Sequence, residues 1–380
     1  MHLVTFSNRI DVTFAKTAGK LERTVEPNVP YVFSLHQFRK LVEGNTHIGN
    51  AAIRTTIFDS RLKPFIAGEK AGEKNKVLFY TGAGGYGDQI MAWPAAKALH
   101  DRGYELNLLA DPGNEKMWER FDWVKSVRCL PIQYDQIKGF DHIVLFETVT
   151  NLDEHTDQLH PTDNLLTRLG IEPASLPDDR KAVQPVFSPE ELAKAAEFVN
   201  GRQLAVYQLS ASAVTRSLPA DVSRQTLVGL ARAFPQFHWI GTYDPYNKEP
   251  YFQPIPDCPP NLELKTFDSI RVFMAVVSQA KLAVGPDSLL VHVAGVFGVP
   301  CVGLWGTVDP VKRVRYYQKR HLAIWQRQAC AFSPCYHGDP DAFPTRCPPL
   351  PNRTICAVME LNVRVINQAV QKCLQVFSSR

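Results

Sequence analysis

The 380-residue sequence predicts an α/β protein. The expected architecture is two doubly wound, parallel-sheet domains facing a cleft, with an appended N-terminal element. Three observations predict it. From Val77 onward, short apolar runs alternate with helix-length segments, the pattern of a parallel sheet. Residues 281–305 read strand, turn, helix, strand, a βαβ unit whose two strands are parallel. Loops rich in glycine or hydroxyl groups follow strands in both halves, at the sheet edge where such folds bind ligands.

The elements follow in order. Residues 1–70 do not match the rest: 3–14 and 31–33 have β-like content, and 34–42 reads as a short helix begun by Ser34. Segment 67–76, AGEKAGEKNK, is a polar linker. The appended element has three open roles: acceptor binding, oligomerisation, or cover for a sheet edge. The first domain, residues 71–188, takes strands at 77–80, 104–110 and 143–146. Its helices fall at 88–102, 114–121 and 161–169. A Pro- and Asp-rich connection leads to a helix at 189–199, capped by Ser188. The second domain, residues 189–354, takes strands at 204–208, 238–241, 280–284 and 301–305, with helices at 221–233 and 268–279. Gly298-Val299-Pro300 stops the helix of the βαβ unit. Residues 355–380 repeat Val358, Leu361, Val365, Val370 and Leu374 at roughly helical spacing, a terminal helix free to cross back.

Composition excludes several classes. Lys and Arg number 42 against 38 Asp and Glu, a net charge of +4 that makes no case for a dedicated nucleic-acid binder. No apolar run approaches the roughly 20 residues of a transmembrane helix. The N-terminus lacks a basic flank followed by an apolar core, so no secretory signal is expected and the default compartment is the cytoplasm. Eight Cys are scattered along the chain, as expected of mostly reduced thiols. Cys330, Cys335, Cys347 and Cys356, with His337 close by, form the one cluster. Four thiolates can hold zinc, but neither pair makes a Cys-x-x-Cys knuckle. Buried thiols or disulfides under a Pro-rich loop are the other readings.

Three loops can carry chemistry. The first is Gly82-Ala83-Gly84-Gly85-Tyr86-Gly87-Asp88, after the first strand of the first domain. Its glycines allow a sharp turn and close approach to a ligand. Gly82, Gly84 and Gly87 match the spacing of a dinucleotide fingerprint, a weak signal by itself. The acidic residue expected about twenty positions on is missing, because Glu105 starts the second strand instead of ending it. Asp88 alone reads as a helix cap. The second loop, residues 208–219, offers Ser210, Ser212 and Arg216, hydroxyls and one cation suited to a diphosphate. The third is Gly285-Pro286-Asp287-Ser288, where helix N–H groups favour an anion. His292 lies one helical turn after Ser288, so both can face one site. A lone His on an apolar helix otherwise reads as a core residue. Thr242, ending another strand, can line a base or ribose pocket.

The motif Asp287, Ser288, His292, Gly298, Pro300, Gly306, Asp309, Pro310 resembles the signature of the heptosyltransferase-like glycosyltransferases, family 9. Gly87-Asp88 followed by an apolar stretch and Pro94 resembles their first-domain motif. Ser210, Ser212 and Arg216 resemble their hydroxyl-and-cation loop. Leu289 stands where many members have Gly, and Leu218-Pro219 replaces an aromatic-Pro pair. The resemblance spans roughly residues 77–375. It implies a GT-B-like fold and an inverting, metal-independent glycosyltransferase with no cofactor beyond its nucleotide-diphosphate sugar. The donor would bind Ser210, Ser212, Arg216, Thr242, Asp287, Ser288 and His292. The acceptor, a glycan, a protein or a modified nucleic acid, would meet Gly84, Gly85, Tyr86 and Gly87, with Asp88 as general base. Two rivals remain: a nucleotide-sugar epimerase, and a non-catalytic sugar-nucleotide-binding or assembly protein.

Overall fold

The computed structural model describes residues 2–6, 9–16, 19–34, 37–38, 41, 52–57, 67, 72–82, 85–146, 158–212, 214–243, 251, 253–330, 333–334, 358 and 361–377. The chain forms two units, Met1–Val186 and Phe187–Arg380.

In the first unit, strands β1 (His2–Phe6), β2 (Ile10–Lys16), β3 (Gly19–Val25), β4 (Pro30–Phe33) and β5 (Ala52–Ile57) precede β6 (Lys76–Thr81). Helix α1 (Tyr86–His100) follows, then β7 (Glu105–Ala110), β8 (Ser126–Cys129), β9 (Ile132–Gln133), β10 (His142–Phe146) and helix α2 (Pro161–Arg168). β2 and β3 form a hairpin of their own. β5, β1, β4 and β9 make an antiparallel sheet, so the N-terminal segment is sewn to the domain after it. The Gln37 side chain adds a stitch, donating to the Leu130 carbonyl at 3.0 Å.

The second sheet of this unit is parallel, in the order β10-β6-β7-β8. Val77–Thr81 of β6 are buried without alternation, which requires cover on both faces. α1 supplies part of that cover, with ten of its residues buried. It begins two residues earlier than the sequence suggests, at Tyr86. Pro94 sits inside it, and one turn before that proline the Thr162 hydroxyl of α2 donates to the Met91 carbonyl at 2.7 Å. The expected helix at 114–121 shrinks to a 3₁₀ turn, Glu115–Met117.

The second unit runs α3 (Pro189–Val199), β11 (Leu204–Gln208), α4 (Ala220–Ala233), β12 (His238–Thr242), β13 (Leu262–Leu264) and α5 (Ile270–Ser278). β14 (Leu282–Pro286), α6 (Leu289–Phe297), β15 (Cys301–Trp305), α7 (Val311–Val314), β16 (His321–Trp325) and α8 (Val363–Phe377) follow. Six parallel strands are ordered β13-β12-β11-β14-β15-β16. Ser188 caps α3 as read: its hydroxyl accepts the Glu191 N–H, and the Glu191 carboxylate accepts the Ser188 N–H. Glu191 also pairs with Arg271 of α5 at 2.6 Å, a tie between the two helices. Gly298 ends α6 at φ 67°, the left-handed conformation that favours glycine. α8 buries Ile366, Val370 and Cys373 against the core that includes Val302, Leu304 and Leu227. Val365 and Leu374, expected on that stripe, flank it and are partly buried.

Both parallel sheets reverse direction once. In the second unit the chain winds outward from β11 to β12 and β13, then returns to β14 beside β11 and winds the other way. In the first unit it winds from β6 to β7 and β8, then returns to β10 beside β6. At such a reversal the loops leaving adjacent strands diverge and open a crevice at the carboxyl edge.

Candidate functional site

The reversal in the second unit lies between the ends of β11 and β14. Gln208 ends β11, and Asp287-Ser288 follow β14. Arg216 draws the two loops together. Its guanidinium donates to the Asp287 carbonyl at 2.9 Å and to the Ser212 hydroxyl at 2.7 Å, and lies 3.7 Å from an Asp287 carboxylate oxygen. The loop after β11 is braced beneath. Ser217 accepts from the Ala211 N–H, Ser223 donates to the Leu209 carbonyl, and Leu209 N–H donates to the Thr242 carbonyl at 2.7 Å.

Burial sorts the expected donor residues. Ser212 is exposed, and Arg216 and Ser288 are half-buried, so these three keep part of their surface open to solvent. Ser210 is fully buried, and its carbonyl accepts from Gln208. Thr242 and Asp287 are buried. Ser288 occupies the N-cap of α6 without a capping side-chain bond, and its hydroxyl oxygen accepts from Gln208 Nε2 at 2.8 Å.

His292 is 3% exposed, and its Nδ1 meets the Tyr317 hydroxyl at 2.9 Å. Burial lowers the ring to about 4; the nearby Asp287 carboxylate opposes this, and the Arg313 and Arg216 guanidiniums reinforce it. The imidazole is therefore neutral at pH 7. Within the described structure it braces α6 on the segment carrying Tyr317.

In the first unit the reversal lies between β6 and β10. Gly82 N–H donates to the Phe146 carbonyl there, joining the ends of the two strands. Gly85, Tyr86 and Gly87 start α1; Gly84 lies outside the described residues. Asp88 is half-buried in the first turn, and its carboxylate accepts the Gly85 N–H at 2.8 Å. It reaches back to close the helix start and remains at the carboxyl edge of the sheet. The cap and the base are thus compatible readings of one side chain.

Three contributors were missed from sequence. Gln208 spans the two loops of the second unit. Gln89 is fully buried: its Oε1 accepts from the Thr81 hydroxyl at 2.7 Å and from the Trp118 indole at 2.9 Å. It locks the end of β6 to the helix that carries Asp88. Tyr317 anchors His292. The signal for Gln208 was a polar residue closing the apolar run LAVYQ; Gln89, between Asp88 and the apolar run that starts at Ile90, carried no such signal. Of the cysteine cluster, Cys335, Cys347, Cys356 and His337 lie outside the described residues; no group of three potential metal ligands occurs among the described residues. Among the described residues no helix is long and apolar enough to cross a membrane.

Residues 264–337 match the model of glycosyltransferase family 9, the heptosyltransferases. That stretch holds the whole motif from Asp287 to Pro310. No curated protein matches the sequence. The fold is similar to that of a family 9 glycosyl transferase from Veillonella parvula DSM 2008, at 15% identity and a TM-score of 0.55, over 80% of this chain and 99% of that one. It is similar to E. coli ADP-heptose lps heptosyltransferase II, at 12% identity and TM-score 0.56, over 79% and 98%. A third likeness is to the dodecameric, iron-containing heptosyltransferase TibC in complex with ADP-D-beta-D-heptose, at 10% identity and TM-score 0.57, over 98% and 93%. TibC is from enterotoxigenic E. coli H10407. The α/β, GT-B-like fold and the resemblance to family 9 both stand. The first two structures leave about a fifth of this chain uncovered; the TibC complex covers 98% of it and another TibC structure 82%.

Proposed function

We propose that the protein is a glycosyltransferase that moves a sugar, with inversion, from a nucleotide-diphosphate sugar to an acceptor hydroxyl. The observation that supports it most is the cradle at the strand reversal of the second unit. Arg216, Ser212 and Ser288 present a cation and two hydroxyls there, within the unit that carries the family 9 match. The diphosphate lies in this cradle, with Thr242 near the base or ribose. Its leaving charge is met by Arg216 and the hydroxyls.

The acceptor binds the first unit beside Gly84, Gly85, Tyr86 and Gly87. Asp88 removes the proton from its hydroxyl. The acceptor oxygen attacks the anomeric carbon, the bond from that carbon to the diphosphate oxygen breaks, and its electron pair leaves with the diphosphate. Attack opposite the leaving group inverts the anomeric centre. Asp287 and His292 hold the cradle's shape from beneath. The acceptor is a glycan, a protein or a modified nucleic acid. Transfer needs no divalent metal and no cofactor, since positive charge and hydrogen-bond donors come from the chain itself.

Incubation of the intact protein with a panel of nucleotide sugars tests this reading. Release of nucleoside diphosphate from at least one donor, unchanged by a chelator, is the expected result. Epimerised nucleotide sugar, or binding without turnover under every acceptor condition, would replace it with one of the two rivals. Loss of release on chelation, restored by a divalent metal, would overturn the metal-free chemistry.

A further inference from the structure

Gln208 ends the central strand β11, is 6% exposed, and makes three bonds that reach both loops of the cradle. Its Nε2 donates to the Ser210 carbonyl at 2.9 Å and to the Ser288 hydroxyl oxygen at 2.8 Å. Its Oε1 accepts the Leu290 N–H at 3.2 Å. The partners fix the orientation of the amide. A carbonyl only accepts and a backbone N–H only donates, so the nitrogen must face Ser210 and the oxygen must face Leu290. Ser288 therefore receives a hydrogen bond at its oxygen, and its own proton points elsewhere. The carboxamide leaves the Ser288 hydroxyl proton free to be donated to another acceptor.

Space is reserved for this arrangement. A Cβ at Gly285 would sit 3.0 Å from the Gln208 Cβ and 3.2 Å from a Leu290 methyl, tighter than ordinary packing. Gly285 is the β14 residue that lets Gln208 lie across to Ser288.

We infer that Gln208 is a positioning residue of the donor site: it clasps the β11 and β14 loops and aims the Ser288 hydroxyl proton at a phosphoryl oxygen. This rests on the donor reading above and names the residue that sets its geometry. Two substitutions separate polarity from shape. Gln208→Glu keeps the acceptor for Leu290 N–H but has no donor for Ser288 or Ser210. The Ser288 proton then turns inward to the carboxylate, and a negative charge is added next to the diphosphate. Gln208→Leu removes all three bonds at similar volume.

The test is calorimetry on the intact protein with ADP, UDP, GDP and inorganic pyrophosphate, and with the parent nucleosides. Gln208→Leu should weaken the best-bound nucleoside diphosphate about tenfold, and Gln208→Glu about a hundredfold, with nucleoside affinity within about twofold. Because Gln208 acts through Ser288, adding Ser288→Ala to Gln208→Leu should cost little more than either single change. If both Gln208 variants bind the diphosphate like wild type while Arg216→Ala binds it more weakly, the inference is overturned and the donor reading stands. Equal losses for diphosphate and nucleoside, or additive effects of Gln208→Leu and Ser288→Ala, also overturn it, as general loop damage. If the wild type binds none of the diphosphates, the donor reading fails and this inference falls with it. Should Gln208→Glu not fold, Gln208→Leu and the double variant decide the matter alone.

Discussion

Arg216 carries most of the charge argument at the scale of single residues. It is preorganised before any ligand arrives, held by Ser212 and by the Asp287 carbonyl, so little side-chain freedom is lost on binding. Arg216→Ala should weaken a nucleoside diphosphate by about ten- to a hundredfold, the worth of a charge-assisted bond to phosphate. Nucleoside affinity should stay within about threefold, and calorimetry reads both. The sequence placed Arg216 and Asp88 in loops that follow strands, at the edge where α/β sheets bind ligands, and the roles proposed for them came with the family resemblance. Gln208 and Gln89 were not singled out. A neutral amide reads as solvated until the structure shows Gln208 buried with bonds to Ser288 and Leu290, and Gln89 buried with bonds to Thr81 and Trp118. His292 was legible as a residue of interest, but one helical turn from Ser288 did not put it on the cradle's open face. A buried hydrogen bond to Tyr317, 25 positions away, took it instead.

Helix α6 shows what was readable at the scale of elements. Its stop at Gly298 and both flanking strands followed from apolar runs broken by Gly and Pro. Its packing did not. Gly295 faces the Tyr317 ring so closely that a Cβ there would lie 2.2 Å from a ring carbon and 2.9 Å from the Tyr317 Cβ. Gly295→Ala must push Tyr317 away from α6 and break its bond to His292. A stability loss of about 1–3 kcal/mol is expected in urea titration. A cost below about 0.5 kcal/mol, that of an ordinary surface change, would show that Tyr317 is not seated as described. Three of the strands missed from sequence lack a readable pattern. β9 has two residues and β13 three, too short for periodicity, and the β16 sequence HLAIW is half-buried, without the fully apolar run of β15. At the N-terminus, the pairing of β4 with β9 joins segments about a hundred residues apart, which local pattern does not encode.

At the scale of the whole molecule, buried imidazoles couple folding to pH. Burial lowers His292 from 6.5 to about 4 and His321 to about 3, with the neighbouring His292 adding to the second shift. Trp305 donates its indole N–H to His321 Nε2, consistent with a neutral ring. Both depressed values mean that the unfolded chain binds more protons below pH 6.5. Their stabilising contribution is complete above the unfolded value and is lost as pH falls toward the folded values. Between pH 8 and 5 each should cost about 2 kcal/mol. Urea midpoints should fall over that range, and less steeply in His292→Asn. An unchanged slope in that variant would show that His292 is not buried neutral.

The two-unit organisation was visible in the alternation of strands and helices, and the three loops in their residue types. Topology adds their placement: each unit carries its candidate loops where its sheet reverses. The central claim is that these loops serve sugar transfer, with Asp88 as the base. It is tested most directly by release of nucleoside diphosphate from the donor that the wild-type protein turns over, measured beside Asp88→Asn. The expected result is release cut about 10²- to 10⁴-fold with donor affinity within about threefold of wild type. Wild-type release by a correctly folded Asp88→Asn protein would contradict it.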